Sequence, residues 1–110
     1  MGVNIDHYTI IGVDIKDKTQ QVFETEEDKF RPYYTDKSCW DGFSIIDSPM
    51  DGEVCVFGII LAKGHEYYGY YSFTGLEDLK YYETKVAEKY KEIFGETAKD
   101  IGVFSFARFS

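Results

Sequence analysis

The chain has 110 residues, 44% of them hydrophobic and 18% aromatic, enough apolar material to bury one core and too much for intrinsic disorder. Its formal net charge of −8 at pH 7 disfavours nucleic acid and anionic membranes, because phosphate contacts need Lys and Arg. No apolar run has the length of a bilayer-spanning helix, and neither a basic secretory leader nor a phosphate-binding glycine loop occurs.

In chain order, Tyr8 to Ile15 is rich in β-branched and aromatic residues and predicts a strand. Residues 16–53 form a polar, acidic, irregular insert, with a short helix expected near Glu26–Phe30 and a short strand at Gly42–Ile46. Asp47-Ser48-Pro49-Met50-Asp51-Gly52 then carries turn chemistry. Val54–Leu61 and Tyr67–Phe73 are strand-like runs separated by Lys63-Gly64-His65-Glu66, and together they predict a β-hairpin.

Thr74 with Glu77 has the spacing of a capping box. Leu76, Leu79, Tyr82, Val86, Tyr90, Ile93 and Phe94 follow at helical spacing, and Gly95 supplies a stop. The spacing predicts one long helix over 76–94, and Ile101–Phe109 closes the chain as a strand. The expected class is α+β, a single domain over 1–110: a mainly antiparallel sheet of about four strands, the long helix on one face, and the acidic insert. Both faces of the strands carry apolar residues, so one helix does not cover them; the insert, a second protomer or a target protein is expected to cover the remainder.

The acid is unevenly spread. Residues 1–55 hold twelve Asp/Glu against five Lys/Arg, whereas residues 56–110 hold eight against seven. In the acidic half, Glu24, Glu26, Glu27 and Asp28 lead into Tyr33 and Tyr34, then Trp40 and Asp41, so carboxylates alternate with aromatic side chains. Tyr68 and Tyr70 add a pair of rings expected on one face of a strand. Carboxylates steer a basic partner and Tyr or Trp anchors it at low entropic cost, so these ten residues are the candidate partner-binding set. The plainer reading gives the carboxylates to a solvated loop or helix start and the tyrosines to strand packing.

Cys39 and Cys55 form no C-x-x-C pair and no cysteine-dense framework, which fits a reduced, cytoplasmic setting. Cys55 reads as a small core hydrophobe; a disulfide between the two is left open. Gly12-Val13-Asp14 is similar, over these few residues, to the first strand of ribonuclease-H-like nucleases, where the resemblance implies an Asp that holds a divalent metal. The further carboxylates such a site needs have no assignable elements here. No nucleophile–base pair, zinc-ligand spacing or cofactor motif stands out.

The expected function is that of a small acidic binding protein without cofactor or catalysis. Its composition is of the bacterial or phage accessory type: an anti-defence inhibitor, or nucleic-acid mimic, occupying a basic site on a larger nucleic-acid-handling protein. The alternative is a homodimeric regulatory module that takes a small ligand in a tyrosine-lined cleft.

Overall fold

The computed structural model describes residues 5–23, 30–34, 42–47, 54–65 and 73–109. In chain order they form strand β1 (Ile5–Asp14), a 3-10 turn (Lys16–Lys18), short helices α1 (Thr19–Phe23) and α2 (Arg31–Tyr34), strands β2 (Phe43–Asp47) and β3 (Cys55–His65), the long helix α3 (Leu76–Phe94) and strand β4 (Gly102–Phe109). The strands make one antiparallel sheet in the order β2-β3-β1-β4. The class is α+β with a four-stranded sheet and one long helix, as the residue patterns predict. The helix expected near Glu26–Phe30 falls largely outside the described residues; helix is found on either side of it, at α1 and α2.

The expected turn at Lys63-Gly64-His65 is corrected. Lys63, Gly64 and His65 do not turn: they continue β3, opposite Tyr8, His7 and Asp6 of β1. The local Lys-Gly-His chemistry is overridden because β1 supplies a ladder for these backbone groups, and unpaired buried backbone is costly. β3 is therefore an inner strand whose two neighbours, β1 and β2, both precede it in the chain. Of the second expected strand, Tyr67–Phe73, residues 67–72 lie outside the described residues; Phe73 is in no strand and is 80% exposed. Along β3 the register slips between Thr9 and Ile10, leaving Leu61 as an extra residue. That bulge restores the face of the side chains beyond it, so Lys63 comes over the Tyr8 ring, 5.4 Å from its centroid.

The long helix spans the predicted bounds, but its start differs from the predicted capping box. Gly75 occupies the N-cap position and no side-chain cap bond is made. The acidic residues Glu77 and Asp78 nevertheless lie in the first turn, where the helix dipole favours them. At the other end Gly95 adopts φ 75° and its N–H donates to the Lys91 carbonyl at 2.9 Å, the left-handed stop that glycine enters without Cβ strain. Val86, Tyr90 and Ile93 are the buried stripe. Leu76, expected on that stripe, is 78% exposed: the helix joins the core only from Val86 onward.

Two apolar clusters lie on opposite sheet faces. On the helix side, Val86, Tyr90 and Ile93 meet Val13, Phe43, Ile45, Cys55 and Phe57, together with Val22, Phe30 and Tyr33 from the insert. The described part of the insert thus completes the helix-side core; it does not cover the opposite face. On that opposite face Tyr8, Ile10 and Val56 are buried, flanked by half-buried Ile46, Val54, Ile60, Phe104 and Phe106. Cys55 is free and buried, so it forms no disulfide with Cys39. Burial and the neighbouring Asp47 and Asp14 push its thiol up to about 12, and it acts as a small core hydrophobe.

Gly12 of β1 faces Gly58 of β3. A Cβ built at Gly58 would lie 2.6 Å from the Gly12 Cα and run into the Ile11 carbonyl oxygen; one at Gly12 would lie 2.9 Å from the Gly58 Cα. The two inner strands approach so closely there that neither position accepts a methyl group. Gly58→Ala is expected to destabilise the fold by about 1–3 kcal/mol through forced strand separation, read as a lower urea midpoint. At the helix ends, Gly95→Ala should cost about 1 kcal/mol for placing a Cβ in the left-handed region, whereas Thr74→Ala should stay within about 0.5 kcal/mol, the range of an ordinary surface change. Equal losses from the two would show that Thr74 caps the helix after all.

Candidate functional site: an acidic groove at one end of the sheet

β1 ends in Asp14, and the chain turns at once into the 3-10 segment. The Asp14 carboxylate accepts the Lys16 backbone N–H at 2.9 Å, the side-chain-to-backbone bond by which Asp favours turns. The Ile15 N–H donates to the Cys55 carbonyl at 2.8 Å, which holds the turn to the sheet and points Asp17 and Lys18 toward the C-terminal end of α3. From the other side, Gly95 stops α3 and releases residues 96–101, with Asp100 at φ 55° before β4 begins. Asp is one of the residues that tolerates that region.

Between these segments lies a groove of about 460 Å³. Its apolar contribution comes from Val13 and Tyr90, and its rim from Asp14, Asp17, Glu96 and Asp100 against Lys18 and Lys99. Four carboxylates thus face two ammonium groups. One cation is already engaged: Lys18 Nζ lies 2.7 Å from Glu96 Oε1. The same oxygen accepts the Tyr90 hydroxyl at 2.9 Å. These two bonds, that from Lys18 first, hold the Glu96 carboxyl below its usual range. Burial, and then the hydrogen bond to Glu96, raise the Tyr90 phenol well above its ordinary value. With Lys18 committed to Glu96, the groove keeps Asp14, Asp17 and Asp100 against one remaining cation, Lys99.

Among the described residues no three His, Cys, Asp or Glu side chains lie close enough together to hold a metal ion. Asp14, the residue of the nuclease-like resemblance, is exposed and bonded to its own turn, while Gly12 serves close strand packing. No helix among the described residues is long and apolar enough to cross a membrane.

A second groove, of about 420 Å³, lies where α3 crosses β2 and β3, lined by Phe43, Ile59, Tyr81, Tyr82, Lys85 and Lys89. Lys85 Nζ sits 5.4 Å from the Tyr81 ring centroid and Lys89 Nζ 5.9 Å from that of Phe43. Lys89 also pairs with Glu92 at 3.4 Å.

Of the partner-binding residues expected from the sequence, Glu24, Glu26, Glu27, Asp28, Trp40, Asp41, Tyr68 and Tyr70 lie outside the described residues. Tyr33 is buried, edge-on to Phe57 with ring centroids 6.1 Å apart, so its ring packs in the core. Tyr34 is half-buried against Phe23, ring centroids 4.9 Å apart. The residues that do converge, Asp14, Asp17, Glu96 and Asp100, come from opposite ends of the chain. Their one sequence signal is the Gly95 stop, which marks where the chain leaves the helix but not what it meets.

The trio Lys18–Glu96–Tyr90 sets a two-sided pH response. Glu96 is depressed in the folded state, so the stability it contributes is present above its ordinary pKa of 4.5 and is lost as pH falls through the folded value. Tyr90 is raised, so its contribution is present below 10.0 and is lost as pH rises above it. Tyr90→Phe should cost about 0.5–1.5 kcal/mol at neutral pH for the lost hydrogen bond, and its urea midpoint should fall less steeply than the wild type's above pH 10. Parallel alkaline profiles would show that Tyr90 keeps no extra proton in the fold.

Comparison with protein-family models, with curated proteins and with solved structures finds no match for this chain.

Proposed function

We propose that the chain is a small acidic protein-binding module, an inhibitor that occupies a basic site on a larger protein, with a nucleic-acid-handling enzyme as the target class. The observation that carries this reading is the convergence of Asp14, Asp17, Glu96 and Asp100 on one groove in a chain of net charge −8. Such a groove suits Arg or Lys side chains of a partner, because its carboxylates steer and pair the cation. The acidic run from Glu24 to Asp28 adds to the chain's net negative charge, which raises the rate of encounter with a basic surface. Imitation of a nucleic acid is the specific form of this reading, because carboxylates spread over one surface take the place of phosphates.

A second reading, a regulatory module with a small-molecule ligand, is favoured by the Tyr81–Tyr82–Lys85 groove, whose two rings and lysine ammonium suit an aromatic anion.

Affinity capture with the tagged full chain, washed at low and at high salt, tests the first reading. The expected outcome is one basic protein held at low salt and released at high salt, since screening weakens exposed charge pairs. The variants Asp17→Lys/Asp100→Lys and Glu26→Lys/Glu27→Lys/Asp28→Lys should each lose that partner while keeping the wild-type circular dichroism. A partner kept by both charge-reversed variants would sink the inhibitor reading.

A further inference from the structure

The two edges of the sheet are unlike. β2 is five residues long and ends in Asp47, a short edge carrying a charge, which is how natural sheets discourage edge-to-edge pairing. β4 is eight residues long and pairs with β1 from Gly102 to Phe109 without a register shift. It has no proline and no lysine, and Ile101 to Ala107 carries no charge at all. Among the described residues no strand pairs with its outer edge, so alternate backbone N–H and C=O groups there face outward. On the helix side of this edge Val103 is 54% exposed and Ser105 is exposed. On the other side Phe104 and Phe106 are half-buried and belong to the cluster around Tyr8, Ile10 and Val56.

We propose that β4 is the interface for a second copy of this chain, paired antiparallel across a two-fold axis at Ser105 to give one continuous eight-stranded sheet. The register is self-complementary. With Ser105 opposite Ser105, Phe104 of one copy faces Phe106 of the other and Val103 faces Ala107, apolar against apolar on each face, with Gly102 opposite Arg108 beyond them. The opposite-face clusters of the two copies then join through their phenylalanines into one apolar strip. Charge selects the occupant: two chains of net charge −8 repel, and the uncharged edge is where that repulsion is least, whereas a basic partner gains nothing from a strand without carboxylates. This interface is separate from the acidic groove, and salt distinguishes the two. Added salt screens the repulsion between copies and strengthens the dimer, while it weakens a complex with a basic protein.

Analytical ultracentrifugation of the full chain, up to sub-millimolar concentration at low and high salt, tests the proposal. The wild type should move from 12.8 kDa toward twice that mass as concentration rises, more readily at high salt. Val103→Lys and Ser105→Lys, both at exposed positions, should stay monomeric with unchanged thermal midpoints. Amide exchange across Ile101–Ala107 should slow with concentration in the wild type. A wild type that stays monomeric, a dimer that survives both lysines, or exchange in β4 that ignores concentration would each overturn it.

Discussion

The ring of Phe57 is the contact on which the helix-side core depends. It sits on the inner strand β3, is fully buried, and meets a ring from each layer around it: Phe43 of β2, parallel at 5.7 Å, Phe94 and Tyr90 of α3 at 5.9 and 6.3 Å, and Tyr33 of α2 at 6.1 Å. Aromatic pairs at these separations add about 0.5–1.5 kcal/mol each beyond the area they bury. Their greater effect here is geometric. One residue ties the long helix, the edge strand β2 and the short helix of the insert to the same point, so the insert is held by the core despite its polar composition.

Beside Phe57, Gly58 does the opposite work. By having no side chain it lets β3 close on Gly12 of β1, so a large ring on one face and an empty position on the other stand on consecutive residues. The result is a sheet whose helix side is fixed by rings and whose opposite side is thinner, centred on Tyr8, Ile10 and Val56 and continued toward the edge by Phe104 and Phe106. The proposed two-fold pairing would lengthen that thin face across a second copy, while the acidic groove lies at the end of the strands. A dimer of this kind would present two grooves, and a target with two basic sites would be held by avidity.

The groove is built on backbone devices more than on charge. Asp14 spends one hydrogen bond on its own turn, Gly95 ends the helix in the left-handed region, and Asp100 takes a positive φ before β4. Only then do Glu96, Lys18 and Tyr90 come within bonding distance. Exposed ion pairs are worth little by themselves. What the Lys18–Glu96 pair does is assign one cation to one carboxylate, which leaves the remaining acids to set the sign of the groove.

The long helix, its Gly95 stop, the four strands (β3 only in its first part), the α+β class and the core role of Cys55 could be read directly from the sequence. All of these rest on local periodicity and single-residue backbone chemistry, which neighbours along the chain report. Local pattern misread Lys63-Gly64-His65 as a turn, since only the non-local β1 ladder makes those residues a strand. It also placed Thr74 as the cap, where Gly75 takes that position, and Leu76 in the core, which only the later turns of the helix reach. Net charge and the abundance of acid were determined by the sequence alone. Which carboxylates share a groove was decided by tertiary structure, because Asp14 and Asp17 meet Glu96 and Asp100 only when β1 and the end of α3 are brought to the same end of one sheet, and no local signal encodes a contact between opposite ends of a chain.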